Sequence, residues 1–123
     1  MTQLEIQQSY KALKNISEIN MPLECAYKIY AMTNELEKHI TFGAEQEKKI
    51  IARYNGEIRP DGLITIPDSD NYDDFQRDMK ELFELDIDVL IDPIEINVSQ
   101  IKNAYISPAD IKHLKNLIHF VND

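Results

Sequence analysis

Residues 22–56 read PLECAYKIYAMTNELEKHITFGAEQEKKIIARYNG, and the reading of this stretch decides the fold. Met21 precedes a proline and is biased out of helical geometry, whereas Pro22 stands where a missing N–H does no harm. Glu24 puts negative charge in the first turn, against the positive end of the helix dipole. At the far end, Asn55-Gly56 is a pair that tolerates the left-handed backbone on which helices stop. Leu23, Ala26, Tyr27 and Tyr30 form one apolar stripe. Ile29, Met32, Leu36, Ile40, Ala44 and Ile51 form a second beside it, and both fit the 3.6-residue period of a core-facing helix. One helix over 22–54 is predicted.

Its length raises a question. At 1.5 Å per residue it would span roughly 50 Å, against a diameter of roughly 35 Å for a compact chain of this size. Either it bends near Thr41-Phe42-Gly43, where glycine costs about 1 kcal/mol relative to alanine, or its far end protrudes as an arm for self-association.

The other elements are read outward from it. Thr2 and Glu5 make a capping box, and Ile6, Tyr10, Leu13 and Ile16 keep helical spacing to about Glu18. The tight linker Ile19-Asn20-Met21 should fold this helix back, antiparallel, onto the first half of the long one. Beyond Gly56, Ile58 and Leu63-Ile64-Thr65-Ile66 flank Arg59-Pro60-Asp61-Gly62, which predicts a small β-hairpin. After the polar loop Asp68-Ser69-Asp70-Asn71, the spacing of Phe75, Met79, Leu82 and Phe83 predicts an amphipathic helix over 72–85. From Ile87 to Val98 the period drops to two, with Pro93 implying an edge strand, a bend or two separate strands. A further strand is expected at Ala104-Tyr105-Ile106. Ser107-Pro108-Ala109-Asp110 then starts a last helix, expected to bury Ile111, Leu114, Leu117, Ile118 and Val121. The expected fold is α+β: a single domain over 1–123, with a long central helix, an antiparallel N-terminal helix, a small hairpin and edge strand, and two further amphipathic helices.

Composition bounds the function. The 123 residues suffice for a core without disulfide or metal, and Cys25, the single cysteine, allows no intrachain bridge. No apolar run reaches the roughly 18 residues of a membrane span, and no basic-then-apolar leader opens the chain, so a soluble, cytoplasmic protein is expected. The net charge is −9, and it is uneven. Residues 57–95 hold thirteen acidic side chains against Arg59, Arg77 and Lys80, a balance of −10 that leaves +1 elsewhere. Such a field repels nucleic acid and favours a basic partner, such as a nuclease groove that normally holds DNA or RNA.

A search for reactive groups gives little. His113 and His119 lie six apart on different faces of the expected last helix, and His39 stands alone, so no metal set forms. Cys25 is expected to be a small buried thiol. Asp68-Ser69-Asp70-Asn71-Tyr72 begins like a calcium loop, but Asp73 stands where glycine is needed and Met79 where glutamate is needed. Gly43, Gly56 and Gly62 form no phosphate loop. No catalytic residue, metal or cofactor is assigned, and an enzyme is not expected. Of the six tyrosines, Tyr10, Tyr27 and Tyr30 fit core packing as well as interface roles, while Tyr72, at the acidic loop, is expected on a contact surface.

The order of these signals resembles a family of small, functionally uncharacterised proteins encoded by bacteriophages of Gram-positive bacteria. The residues that carry the likeness are Pro22-Leu23 and Ala26-Tyr27-Lys28 on the long helix, its stop at Tyr54-Asn55-Gly56, and the turn at Asp61-Gly62. Phe75 with Glu81-Leu82, Ile87-Asp88-Val89 and Ile106-Ser107-Pro108-Ala109-Asp110 complete it. Gly43 departs from the pattern. The resemblance implies a phage origin, action in the host cytoplasm, and an accessory or assembly role. Together with the charge it gives an expectation of a non-enzymatic inhibitor of a host defence effector, similar to anti-CRISPR proteins. Asp68, Asp70, Tyr72, Asp73, Asp74 and Asp78 are its expected partner-binding residues, with neither nucleic acid nor membrane bound directly. The alternative is a virion or assembly component that self-associates through the long helix.

Overall fold

Thr2 opens the first helix as expected: its hydroxyl accepts from the Glu5 N–H and the Glu5 carboxylate accepts from the Thr2 N–H. The computed structural model describes residues 1–122. Helix α1 (Gln3–Ile16) lies against α2 (Leu23–Arg53), a continuous 31-residue helix. Next come the antiparallel pair β1 (Glu57–Ile58) and β2 (Ile64–Thr65), a 3-10 turn at Ser69–Asn71 and α3 (Tyr72–Glu84). The chain finishes with β3 (Ile94–Asn97), a second 3-10 turn at Val98–Ile101, α4 (Pro108–His113) and β4 (Ile118–Val121). The fold is α+β with a long central helix.

Two packed clusters, one near each end of α2, account for its length of about 47 Å. The larger joins Ile6, Leu13 and Ile16 of α1 to Ile29, Met32 and Leu36 of α2, and to Ile94, Ile96, Leu114, Leu117 and Ile118. The smaller joins Ile50 and Ile51 to Phe75 and Leu82 of α3, with Tyr54, Ile64, Ile66 and Met79 against them. The far end is therefore neither an arm nor cut off by a break at Gly43. It is roofed by α3 and the hairpin.

Gly43 is buried for a different reason. The Gln3 side chain, wholly buried, crosses α2 there and donates to the His39 carbonyl at 3.1 Å. A Cβ on Gly43 would fall 2.0 Å from Gln3 Nε2. Glycine makes room for a neighbouring helix. At the C-terminus of α2, Asn55 takes the left-handed turn with φ of 54°, and the Gly56 N–H donates to the Ile51 carbonyl at 2.8 Å.

Four expectations are corrected. The stripe Leu23, Tyr27, Tyr30 does not face the core: these side chains are exposed, and α1 takes the neighbouring stripe instead, with Ala44 exposed and Gly43 buried in its place. Residues 87–93 keep the in–out alternation but pair with no strand. Only Asp86 bridges, to Thr2, and the Ile87 N–H donates to the Met1 carbonyl. The last helix stops at His113, leaving Ile111 exposed, and Ala104-Tyr105-Ile106 forms no strand. Leu114 to Leu117 turn, and the β-branched and aromatic run Ile118-His119-Phe120-Val121 pairs parallel to β3, with Ile94 opposite Ile118 and Ile96 opposite Phe120. Buried β3 needs partners for its backbone groups, and β4 supplies them.

Candidate protein-contact face

α3 turns its apolar side, Phe75 and Leu82 with Met79 beside them, onto the end of α2. That choice fixes what faces water. Asp68 lies just before the 3-10 turn and caps it, its carboxylate accepting from the Asp70 N–H at 2.9 Å. Asp70 is within the turn, and Asp73 and Asp74 follow in the first turn of α3, where the helix dipole favours negative charge. All four carboxylates are exposed and fall within seven consecutive residues. Asp74 is 3.2 Å from the Arg77 guanidinium, an exposed pair worth little energetically. Among the described residues Asp68, Asp70 and Asp73 meet no cationic group. Tyr72 stands between them, about half exposed, its hydroxyl accepting from Gln76 Nε2 at 3.0 Å.

Asp78 does not belong to this face. Its side chain is only 15% exposed and is engaged by the Arg53 guanidinium at 2.9 Å and by the Tyr54 hydroxyl, which donates to the same oxygen. Tyr54 also packs edge-on against Phe75, with ring centroids 6.0 Å apart. The Tyr54 hydroxyl bond, with Arg53 beside it, holds the Asp78 carboxyl below its usual range, and the same bond pushes the Tyr54 phenol up. Asp78 thus fastens α3 to the C-terminus of α2 and is withdrawn from the contact set. Its partners lie about twenty-five positions away in sequence, so spacing within α3 gave no sign of them.

The remaining reactive groups are scattered. Cys25 is half-buried at the edge of the larger cluster. His39 lies 3.6 Å from Glu35, whose carboxyl is held down chiefly by the Lys38 ammonium at 2.9 Å. His119 is exposed on β4, and the His113 carbonyl accepts from the Ser9 hydroxyl. No group of three or more metal-ligating side chains forms among the described residues, and among them no helix is long and apolar enough to cross a membrane.

Sequence reasoning missed a second exposed feature. Leu23, Tyr27 and Tyr30 line one side of the first half of α2, and Leu90 stands beside them, 82% exposed. The exposure of a helical stripe depends on which face the neighbouring helix takes, and nothing in the spacing of Leu23, Tyr27 and Tyr30 marks them as the uncovered face. No family model matches the chain, and neither a curated protein nor a solved structure shows significant similarity to it.

Proposed function

We propose that this protein works by binding another protein, without making or breaking a covalent bond, through the acidic face of the 3-10 turn and α3. The observation that carries the reading is the group of four exposed carboxylates at Asp68, Asp70, Asp73 and Asp74, three of them without an ion pair among the described residues and set around Tyr72. A patch of this density attracts a basic surface and slows approach to nucleic acid. A tyrosine in its midst adds apolar area and a hydroxyl of the kind that anchors protein interfaces. The partner we favour is a host defence effector whose basic groove normally holds nucleic acid, the chain acting as a phage-encoded inhibitor. The concentration of charge in residues 57–95 and the resemblance in helix ends described above support this.

The test is a triple reversal, Asp68→Lys, Asp70→Lys and Asp73→Lys, in a tagged protein recovered from infected cells with its partners identified by mass. These side chains are exposed, so the chain should still fold, with a modest fall in the thermal midpoint from the lost Asp68 cap and the reversed charge at the start of α3, while partner capture is lost. Capture that survives the reversal refutes the assignment of the face.

A further inference from the structure

Tyr27 and Tyr30 are not just exposed; they touch, with ring centroids 6.4 Å apart, and form a ridge along α2. A groove runs on each side of that ridge. One, of about 340 Å³, lies between Tyr27, Ala31 and Met32 and the extended segment at Leu90 and Pro93. The other, of about 280 Å³, lies between Ala26 and Tyr30 and the α1–α2 connection at Ile19 and Met21. We propose that this face is a twofold interface between two copies of the chain, the tyrosine ridge of each copy seated in a groove of the other.

Three observations select a second copy as the occupant. First, the face carries both halves of a fit. A ridge flanked by grooves is self-complementary under a twofold rotation, as an isologous contact requires, and ridges in grooves are the usual way in which helices pack. Second, the area is of the order an interface needs. Tyr27, Tyr30, Leu23 and Leu90 are 67%, 62%, 85% and 82% exposed. With aromatic side chains at about 150–250 Å² each, they leave on the order of 500 Å² of mostly apolar surface. The groove walls bring this toward the roughly 800 Å² per partner of a stable interface. Third, the charge permits it. Two chains of net charge −9 repel, but residues 1–56 carry seven acidic and seven basic side chains and so are neutral. The ridge is flanked by an internally compensated pair, Glu24 and Lys28 at 3.3 Å. Asp92 lines the groove beside Leu90, with Lys28 opposite it, but copies that meet here need not bring together their acidic 68–74 faces, which pack at the other end of α2.

The inference rests on different residues from the acidic face, and its failure would leave that reading untouched. The test is sedimentation equilibrium of the whole chain from low to high micromolar concentration. The wild type should pass from 14.3 kDa to twice that mass. Tyr27→Ala with Tyr30→Ala, and separately Leu90→Asp on the opposite groove wall, should each weaken the association at least about tenfold. All three positions are exposed, so circular dichroism and the thermal midpoint should stay at wild-type values. A wild type that remains monomeric overturns the proposal, and loss of partner capture by the tyrosine variant in that case would assign the face to a different protein. A dimer unaffected by either variant also overturns it.

Discussion

Replacing Gly43 by alanine tests the packing of the two longest helices, because two large effects oppose each other there. Alanine in a helix interior is favoured over glycine by about 1 kcal/mol. Against this, the new methyl would lie 2.0 Å from Gln3 Nε2 and 2.7 Å from Gln3 Cδ, so the glutamine must leave. Gln3 is wholly buried and donates to the His39 carbonyl. Losing that bond costs about 1 kcal/mol, and forcing extra volume into a filled site about 1–3 kcal/mol. The crowding wins, and Gly43→Ala should destabilise by about 1–3 kcal/mol net of the helix gain. In a Gln3→Ala background the obstruction is gone, and the same substitution should stabilise by about 1 kcal/mol. Urea titrations followed by circular dichroism on the four chains of this cycle measure both. A stabilising Gly43→Ala in the wild-type background would refute the reasoning, since it would mean that the glutamine swings aside freely.

Other outcomes follow from the same structure. Leu114→Ala removes a wholly buried side chain where α4 turns toward β4 and should cost about 2–5 kcal/mol in urea titration. The Tyr54–Asp78 bond sets a pH window. The Asp78 pKa is depressed on folding, so its contribution is present above about pH 4 and is lost as pH falls through the lower folded value. The Tyr54 pKa is raised, so its contribution is complete below about pH 10 and is lost as pH rises through the folded value. Thermal midpoints of Tyr54→Phe measured across pH should fall below wild type inside that window and converge with it at both extremes.

Much of the backbone was legible because its signals are local. Thr2 with Glu5, Asn55 with Gly56, the 60–62 turn and Ser107-Pro108 each close their hydrogen bonds within a few residues, so short-range chemistry suffices to place them. What was not legible depends on distant partners. Leu23, Tyr27 and Tyr30 keep the same helical spacing as Ile29, Met32 and Leu36, and the position of α1 decides which stripe is covered. Gly43 reads as a helix weakness until Gln3 is seen above it. Leu114, Leu117 and Ile118 are buried whether the last segment is helix or strand, so helical spacing could not tell the two apart. The pairing of β4 with β3 decided it. The exposure of Asp68, Asp70, Asp73 and Asp74 was legible because they lie within seven residues at a polar loop and helix start. Asp78 was misread because Arg53 and Tyr54 reach it from another helix.

Because α2 passes through both clusters, the molecule has unequal ends joined by a single rod. The end around Ile50 and Phe75 has four buried apolar residues, whereas the other has twelve. The lighter end should open first, with α3 and the hairpin lifting away while α1, β3 and β4 stay closed. Fraying that travels back from Arg53 would meet Gly43, the poorest helix former on its route, just where Gln3 clamps the rod from outside. The weakest link in the helix therefore also carries its clasp, and a breach at the acidic end can be contained before it reaches the tyrosines.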